Sequence, residues 1–287
     1  MKNQPFIKLI ECPRDAMQGW YEFIPTAEKI RYINTLLNVG FDTIDFGSFV
    51  SPKAIPQMAD TKAVLENLDL SNTTSKLLAI VANKRGAEDA VTFNQIDFLG
   101  FPFSISETFQ QRNTNTSIEQ SYHQVLDIQD LCVRNNKKLV IYISMGFGNP
   151  YGDPYHEEMV FEWASKLANI GVDIISLADT VGLATPEQIE RTTRFLINSM
   201  SNVEIGVHLH SSPKNWKQKA EAAYNAGCIR FDGAINGIGG CPMAGDSLIG
   251  NMNTNLMIDF FNEKEVSLHL DNATLADAVQ IATEIFI

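Results

Sequence analysis

The tripeptide His208-Leu209-His210 places two imidazoles at i and i+2, so in an extended chain both project from one face with Leu209 on the other. Such a pair can bind one divalent ion, or it can be two satisfied histidines at a strand end. Asp15 offers a hard oxygen. Imidazole and carboxylate together suit Mg²⁺, Mn²⁺, Fe²⁺ or Zn²⁺ rather than a thiolate site, although Asp15 could also cap the next turn. Arg14 precedes it, and a guanidinium can steady an oxyanion through two donors or form a local ion pair. Gly237-Ile238-Gly239-Gly240-Cys241-Pro242 joins glycines to a thiol, as in a mobile loop carrying a proton donor or in a half-buried structural cysteine. It lacks the second half of a dinucleotide fingerprint and the acidic residue that follows one. Asn251, after Gly250, offers an amide oxygen to a metal or a cap to a helix.

These residues must be gathered by elements far apart in the chain. Short β-rich runs recur with helical stretches between them, at Ile7–Glu11, Thr43–Phe46, Lys76–Val81, Asp97–Phe101, Lys138–Ser144, Val172–Ser176, Glu204–His208 and Ile229–Ala234. Gly40, Gly171 and Gly227 each stand just before a strand, where a helix end passes into the next β-run. Thr185-Pro186-Glu187-Gln188 reads as a helix start with a capping box. Eight βα units without a linker predict a (β/α)₈ TIM barrel over residues 1–287, a single catalytic domain with a short C-terminal helical extension; an open doubly wound sheet is the alternative. In a barrel, chemistry sits at the C-terminal strand ends. Arg14 and Asp15 follow the first strand, Asp45 ends the second, Asp179 follows the sixth, His208 and His210 end the seventh, and Cys241 lies after the eighth. That position favours the metal reading of the histidine pair, in a chain with only five histidines.

Composition excludes several alternatives. The 22 basic and 34 acidic residues give a net charge of −12, the wrong sign for a phosphate-backbone binder, so no nucleic-acid partner is expected. An anionic small molecule is compatible with one locally positive cleft. The four cysteines form neither a CxxC pair nor a disulfide framework. No apolar run is long enough to span a membrane and no signal segment opens the chain, so a cytoplasmic protein is expected.

In order along the chain, several blocks resemble the 3-hydroxy-3-methylglutaryl-CoA lyases of bacteria and mitochondria. Glu11-Cys12-Pro13-Arg14-Asp15-Ala16-Met17-Gln18 resembles that family's opening motif. Gly47 to Asp60, through Ser51-Pro52-Lys53-Ala54-Ile55-Pro56-Gln57-Met58, is similar to its most specific block. Leu177 to Gly182, the histidine strand and Asn236 to Pro242 complete the series. The resemblance implies retro-Claisen cleavage of an acyl-CoA to acetoacetate and acetyl-CoA with Mg²⁺ or Mn²⁺. It implies Asp15, His208, His210 and Asn251 as metal ligands, Arg14 as the residue steadying the enolate, and Cys241 as the mobile thiol of proton transfer. Asp45 and Asp179 match acidic residues around the substrate hydroxyl. The expected partner is a small-molecule acyl-CoA, and a homodimer is expected.

The chain departs from the family at Asp45, where Glu is usual, and at Tyr21, where Lys is usual. Ser211-Ser212-Pro213-Lys214 replaces Asp-Thr-Tyr-Gly, Asn255 replaces Glu, and one extra residue separates Cys241 from Asn251. Condensing synthases share the Arg-Asp opening and the histidine pair but usually carry further regions after the barrel. Lysis of another 3-hydroxyacyl-CoA, or a barrel that binds CoA without catalysis, are the remaining alternatives.

Overall fold

Strands that are apolar on both faces need cover on both, and a closed parallel sheet ringed by helices provides it. The computed structural model describes residues 6–240 and 249–287. Its strands are β1 (Lys8–Glu11), β2 (Thr43–Ser48), β3 (Lys76–Ile80), β4 (Phe98–Ser104), β5 (Lys138–Ser144), β6 (Ile174–Asp179), β7 (Glu204–Leu209) and β8 (Arg230–Gly233). They pair in parallel, in chain order, and β8 closes on β1 through Lys8↔Arg230 to Glu11↔Gly233. The expected eight-stranded barrel is the one formed, and the open sheet is not.

Every strand lies where the β-rich runs place it, with ends that differ by a few residues. β4 runs to Ser104 although Pro102 argues for an earlier stop. Its pairing with β3 ends at Ile80↔Gly100, while β5 accompanies it to Ser104↔Ser144. Pro102 therefore sits where one side of the strand has no ladder to complete, a position that tolerates proline. β6 begins later and ends later than Val172–Ser176, so that Asp179 is its last residue rather than part of the following loop. β7 ends at Leu209, and His210 forms an isolated antiparallel bridge to Asn251.

Helices α1 (Pro13–Gln18) and α2 (Thr26–Leu37) follow β1, and α3 (Thr61–Glu66) and α4 (Lys84–Ala90) follow β2 and β3. α5 (Glu107–Thr114) and α6 (Ile118–Arg134) follow β4, and α7 (Glu157–Asn169), α8 (Pro186–Ser199) and α9 (Trp216–Asn225) follow β5, β6 and β7. The C-terminal extension is α10 (Thr254–Glu263) and α11 (Asn272–Ile285). Thr185 and Gln188 form the expected capping box of α8. Gly40, Gly171 and Gly227 have φ of 99°, 91° and 93°, the left-handed geometry that ends these helices at little cost to glycine.

Alternation divides the core. Leu139, Ile141 and Ile143 of β5 face the helices, whereas Val140 and Tyr142 join Leu78 and Ile174 inside the barrel. The polar residues at the upper strand ends extend this interior set.

Candidate active site

The first βα connection turns directly into a helix. Pro13 occupies the first turn of α1, fixing its φ where no amide bond is needed, and the helix presents Arg14, Asp15 and Gln18 on neighbouring turns. Arg14 Nη1 donates to Asp15 Oδ1 and to Gln18 Oε1, both at 2.9 Å. Its Nε and Nη2 donate to Asp45 at the end of β2, with Nη2 2.5 Å from Oδ2. Gln18 Nε2 donates to Asp15 Oδ1 at 2.6 Å. Burial opposes the charge of Arg14, but Asp45 and Asp15 outweigh it and hold the guanidinium ionised. Burial likewise opposes ionisation of Asp15, and Arg14 first, then His208 and His210, keep its carboxyl below the usual range. Burial lifts Asp45 to about 6 against the pull of Arg14.

Across the barrel mouth, His208 and His210 turn their Nε2 atoms toward each other at 3.4 Å, and His208 Nε2 lies 4.0 Å from Asp15 Oδ2. One ligand atom from each of Asp15, His208 and His210 fits within 4.8 Å of the others. Burial and the charge of His208 push His210 down to about 4, so its imidazole is neutral at physiological pH. On the far side of the other ring, His208 Nδ1 meets Asp232 Oδ2 at 3.2 Å. With a proton on Nδ1, the Nε2 lone pair is free to face the same point as Asp15 and His210. Two imidazole nitrogens and a carboxylate oxygen converging in this way fit a divalent cation of borderline or hard character. Cys12 also lies beside His208 and Asp232, but burial and the surrounding carboxylates raise its thiol far above its ordinary pKa and leave it protonated.

Asn251 reaches the site because the segment after the Gly-rich loop returns along the end of β7. Ser211 N donates to Gly250 O at 3.0 Å and Met252 N to Leu209 O at 3.1 Å. Asn251 Nδ2 donates to Asp15 Oδ2 at 2.7 Å and to Ile238 O at 2.9 Å. The amide nitrogen of Asn251 is thus the atom set against Asp15.

Asp179 stands at the end of β6, with Oδ2 2.5 Å from Lys219 Nζ of α9 and Oδ1 accepting from Ala184 N. The same ammonium donates to the carbonyl of His210 at 2.9 Å and of Gly182 at 3.1 Å. Asp179 thus pairs with Leu209 in the β6–β7 ladder, and its carboxylate is tied to the His210 carbonyl through Lys219. Cys241 lies outside the described residues. Tyr21 is 76% exposed and stands apart from the set, and Asn255 exchanges long hydrogen bonds with Asn236. The sequence reading missed Gln18, Lys219 and Asp232. Gln18 carried a signal in its i+3 and i+4 spacing from Asp15 and Arg14. Lys219 and Asp232 carried none that separates them from other charged residues.

Comparison with known proteins bears on the whole chain. The hydroxymethylglutaryl-CoA lyase of Bacillus subtilis (strain 168) is 30% identical over 268 residues, spanning 93% of this chain and 89% of that protein. The 3-hydroxy-3-isohexenylglutaryl-CoA/hydroxymethylglutaryl-CoA lyase of Pseudomonas aeruginosa is 30% identical over 275 residues, covering 96% and 91%. The structure of an HMG-CoA lyase from Acinetobacter baumannii in complex with coenzyme A and 3-methylmalate superposes with a TM-score of 0.91 at 29% identity, covering 98% and 91%. The HMGL-like family model matches residues 7–281, and the chain belongs to that family.

Proposed function

We propose that this chain is a carbon–carbon lyase that uses Mg²⁺ or Mn²⁺ to cleave 3-hydroxy-3-methylglutaryl-CoA into acetoacetate and acetyl-CoA. The observation that carries the reading is the convergence of Asp15, His208 and His210 on one point with the Arg14 guanidinium held beside it. Asp15 and the two histidines would hold the ion, with Asn251 at the same rim. The bound ion supplies a Lewis acid that lowers the pKa of a substrate hydroxyl.

Arg14 has four of its five N–H groups engaged by Asp45, Asp15 and Gln18 among the described residues, which leaves one Nη2 hydrogen for a ligand. The fork is therefore fixed in direction before substrate arrives, the condition under which a donor stabilises developing charge without reorganising. In the cleavage, a base takes the hydroxyl proton and the C3 carbonyl of acetoacetate forms. The carbon–carbon bonding pair passes to the thioester as an enolate, whose oxygen faces Arg14. A proton delivered to the enolate carbon then completes acetyl-CoA, and the Cys241 thiol is the donor proposed for it. Asp45, at about 6, is ionised at neutral pH and serves chiefly to set the Arg14 fork.

A second reading keeps this chemistry and enlarges the acyl group. It is favoured by the Pseudomonas aeruginosa relative, whose name carries two substrates of different length, and by Ser211 in place of the usual charged residue after the histidine pair. The test is acetyl-CoA release from each thioester by the purified protein. Release that stops with chelator and returns with Mn²⁺ or Mg²⁺ is expected. Metal-dependent binding with no release from either thioester would replace the lyase by a binding protein.

A further inference from the structure

The register of the last four strands sets two interior layers one above the other. Tyr142, Ser176, Gly206 and Arg230 are successive partners across β5, β6, β7 and β8, and Ala178, His208 and Asp232 are partners two residues further on. Residues two apart on a strand share a face, so Arg230 lies directly below Asp232 and Gly206 directly below His208. Arg230 is 1% exposed, an unusual burden for a barrel interior that branched aliphatics ordinarily fill.

The fold makes room for this charge. A Cβ on Gly206 would come within 2.9 Å of Arg230 Cδ, so this glycine leaves space that the arginine side chain occupies. Among the described residues, Nη1 alone of the Arg230 nitrogens meets acceptors, Glu204 at 3.5 Å and Asp42 at 3.9 Å. Arg230 Nε and Nη2, Tyr142 Oη, Ser176 Oγ and Asp232 Oδ1 are buried without a hydrogen-bond partner among the described residues. Their chemistry is complementary, since the guanidinium only donates, the carboxylate only accepts and the hydroxyls do both. Buried groups of this kind are joined through ordered water, which makes about three hydrogen bonds to otherwise unsatisfied atoms. Burial opposes the charge of Arg230, and Asp232 is foremost among the groups that sustain it.

We propose that Arg230 is a positioning residue: from the layer below, through this polar bridge, it anchors Asp232, which holds His208 with Nδ1–H toward β8 and Nε2 toward the ion. The assignment rests on the metal-site reading for its consequence, while its first effect is on the ring itself. In a metal site, partners that orient a ligating histidine typically govern about 10- to 100-fold of the affinity.

The test uses the full chain, with ¹⁵N-histidine spectra of the metal-free protein and Mn²⁺ titration followed by electron paramagnetic resonance. Arg230→Met should shift His208 away from the Nδ1–H form and weaken Mn²⁺ binding about tenfold or more. Asp232→Asn should do the same, and Arg230→Met should add little in that background. Arg230→Lys, which keeps the charge but loses the planar fork, should give a smaller shift and carries the test if the methionine variant does not fold. A folded Arg230→Met or Arg230→Lys protein with reduced thermal stability but wild-type His208 signals would overturn the proposal. If the wild type itself binds no Mn²⁺, the metal reading fails, and the histidine spectra still decide the role of Arg230.

Discussion

Arg14 is the residue on which binding and chemistry meet. Its side chain is shared among Asp45, Asp15 and Gln18, so it shapes the site electrostatically before any substrate enters. Removing it leaves two buried carboxylates facing each other and removes the donor aimed at the enolate. Loss of a single oriented oxyanion donor costs about 10²–10³ in turnover. Arg14→Gln is therefore expected to lower kcat at saturating Mn²⁺ by that factor and, because Arg14 also holds the Asp15 ligand, to raise the Mn²⁺ dissociation constant by about tenfold or more. Steady-state kinetics beside direct metal titration separates the two. A variant whose kcat stays within a fewfold of wild type would remove Arg14 from the chemistry. The buried neighbours also have their own cost, since breaking a buried ion pair typically removes about 3–5 kcal/mol of stability, so thermal melts must accompany the kinetics.

Among elements, the first strand and the segment following the last are tied by one acid. Glu11, fully buried at the end of β1, accepts from Ile235 N at 2.8 Å and from Thr254 Oγ1 at 2.6 Å, linking β1 to the loop after β8 and to α10. Burial raises its pKa from 4.5 to about 8 against both hydrogen bonds. A carboxyl whose folded pKa is raised holds its proton in the native state while the unfolded chain loses it. Its contribution is complete below the unfolded value of 4.5 and declines as pH rises toward 8, a window worth a few kcal/mol, roughly. Glu11→Gln should abolish that slope, because an amide can accept from Ile235 N and donate to Thr254 Oγ1 without ionising. Urea unfolding of wild type and variant at several pH values reads it directly, and a wild-type stability relative to Glu11→Gln that does not fall from pH 4.5 to 8 would contradict this account.

At this scale the sequence is a good guide to some features and silent on others. β-rich runs and the glycines at 40, 171 and 227 locate every strand, because each signal is local: a side-chain alternation, or one residue with positive φ. The ends of β4 and β6 are set instead by how far the neighbouring strand continues, which no local pattern records. The candidate ligands were legible from type, spacing and family motif together. Asp232 and Lys219 were not, since their meaning depends on His208 lying across the β7–β8 ladder and on α9 folding back over the end of β6. Where the usual acidic residue after the histidine pair is replaced by Ser211, a carboxylate reaches the pair from β8.

For the molecule as a whole, the barrel ladder closes at β8, yet the chain continues for two more helices, and the second of them supports the wall beneath the active site. α11 packs against α2, burying Ala278, Ile281 and Ala282. Beyond its end, Phe286 sets its ring edge-on 5.2 Å from Trp20 and 6.5 Å from Tyr32. Trp20 lies two residues past the end of α1 and donates its amide back to Met17 O at 2.9 Å, so the C-terminus braces the helix that carries Arg14 and Asp15. No helix among the described residues is long and apolar enough to cross a membrane. Counting the buried side chains of α11 and Phe286 at about 1.5–3 kcal/mol for each large one gives a loss on the order of 5 kcal/mol on removal. For a protein of this size that corresponds to a drop in Tm of about 8 °C. Truncation before Asn272 should therefore lower Tm by that amount. Because the brace acts on α1, the same truncation should weaken Mn²⁺ binding even at temperatures where the barrel remains folded. Calorimetry and metal titration of the truncated chain check both, and a truncated chain that melts within about 2 °C of the intact one would show that the eight-stranded ladder alone supports the site.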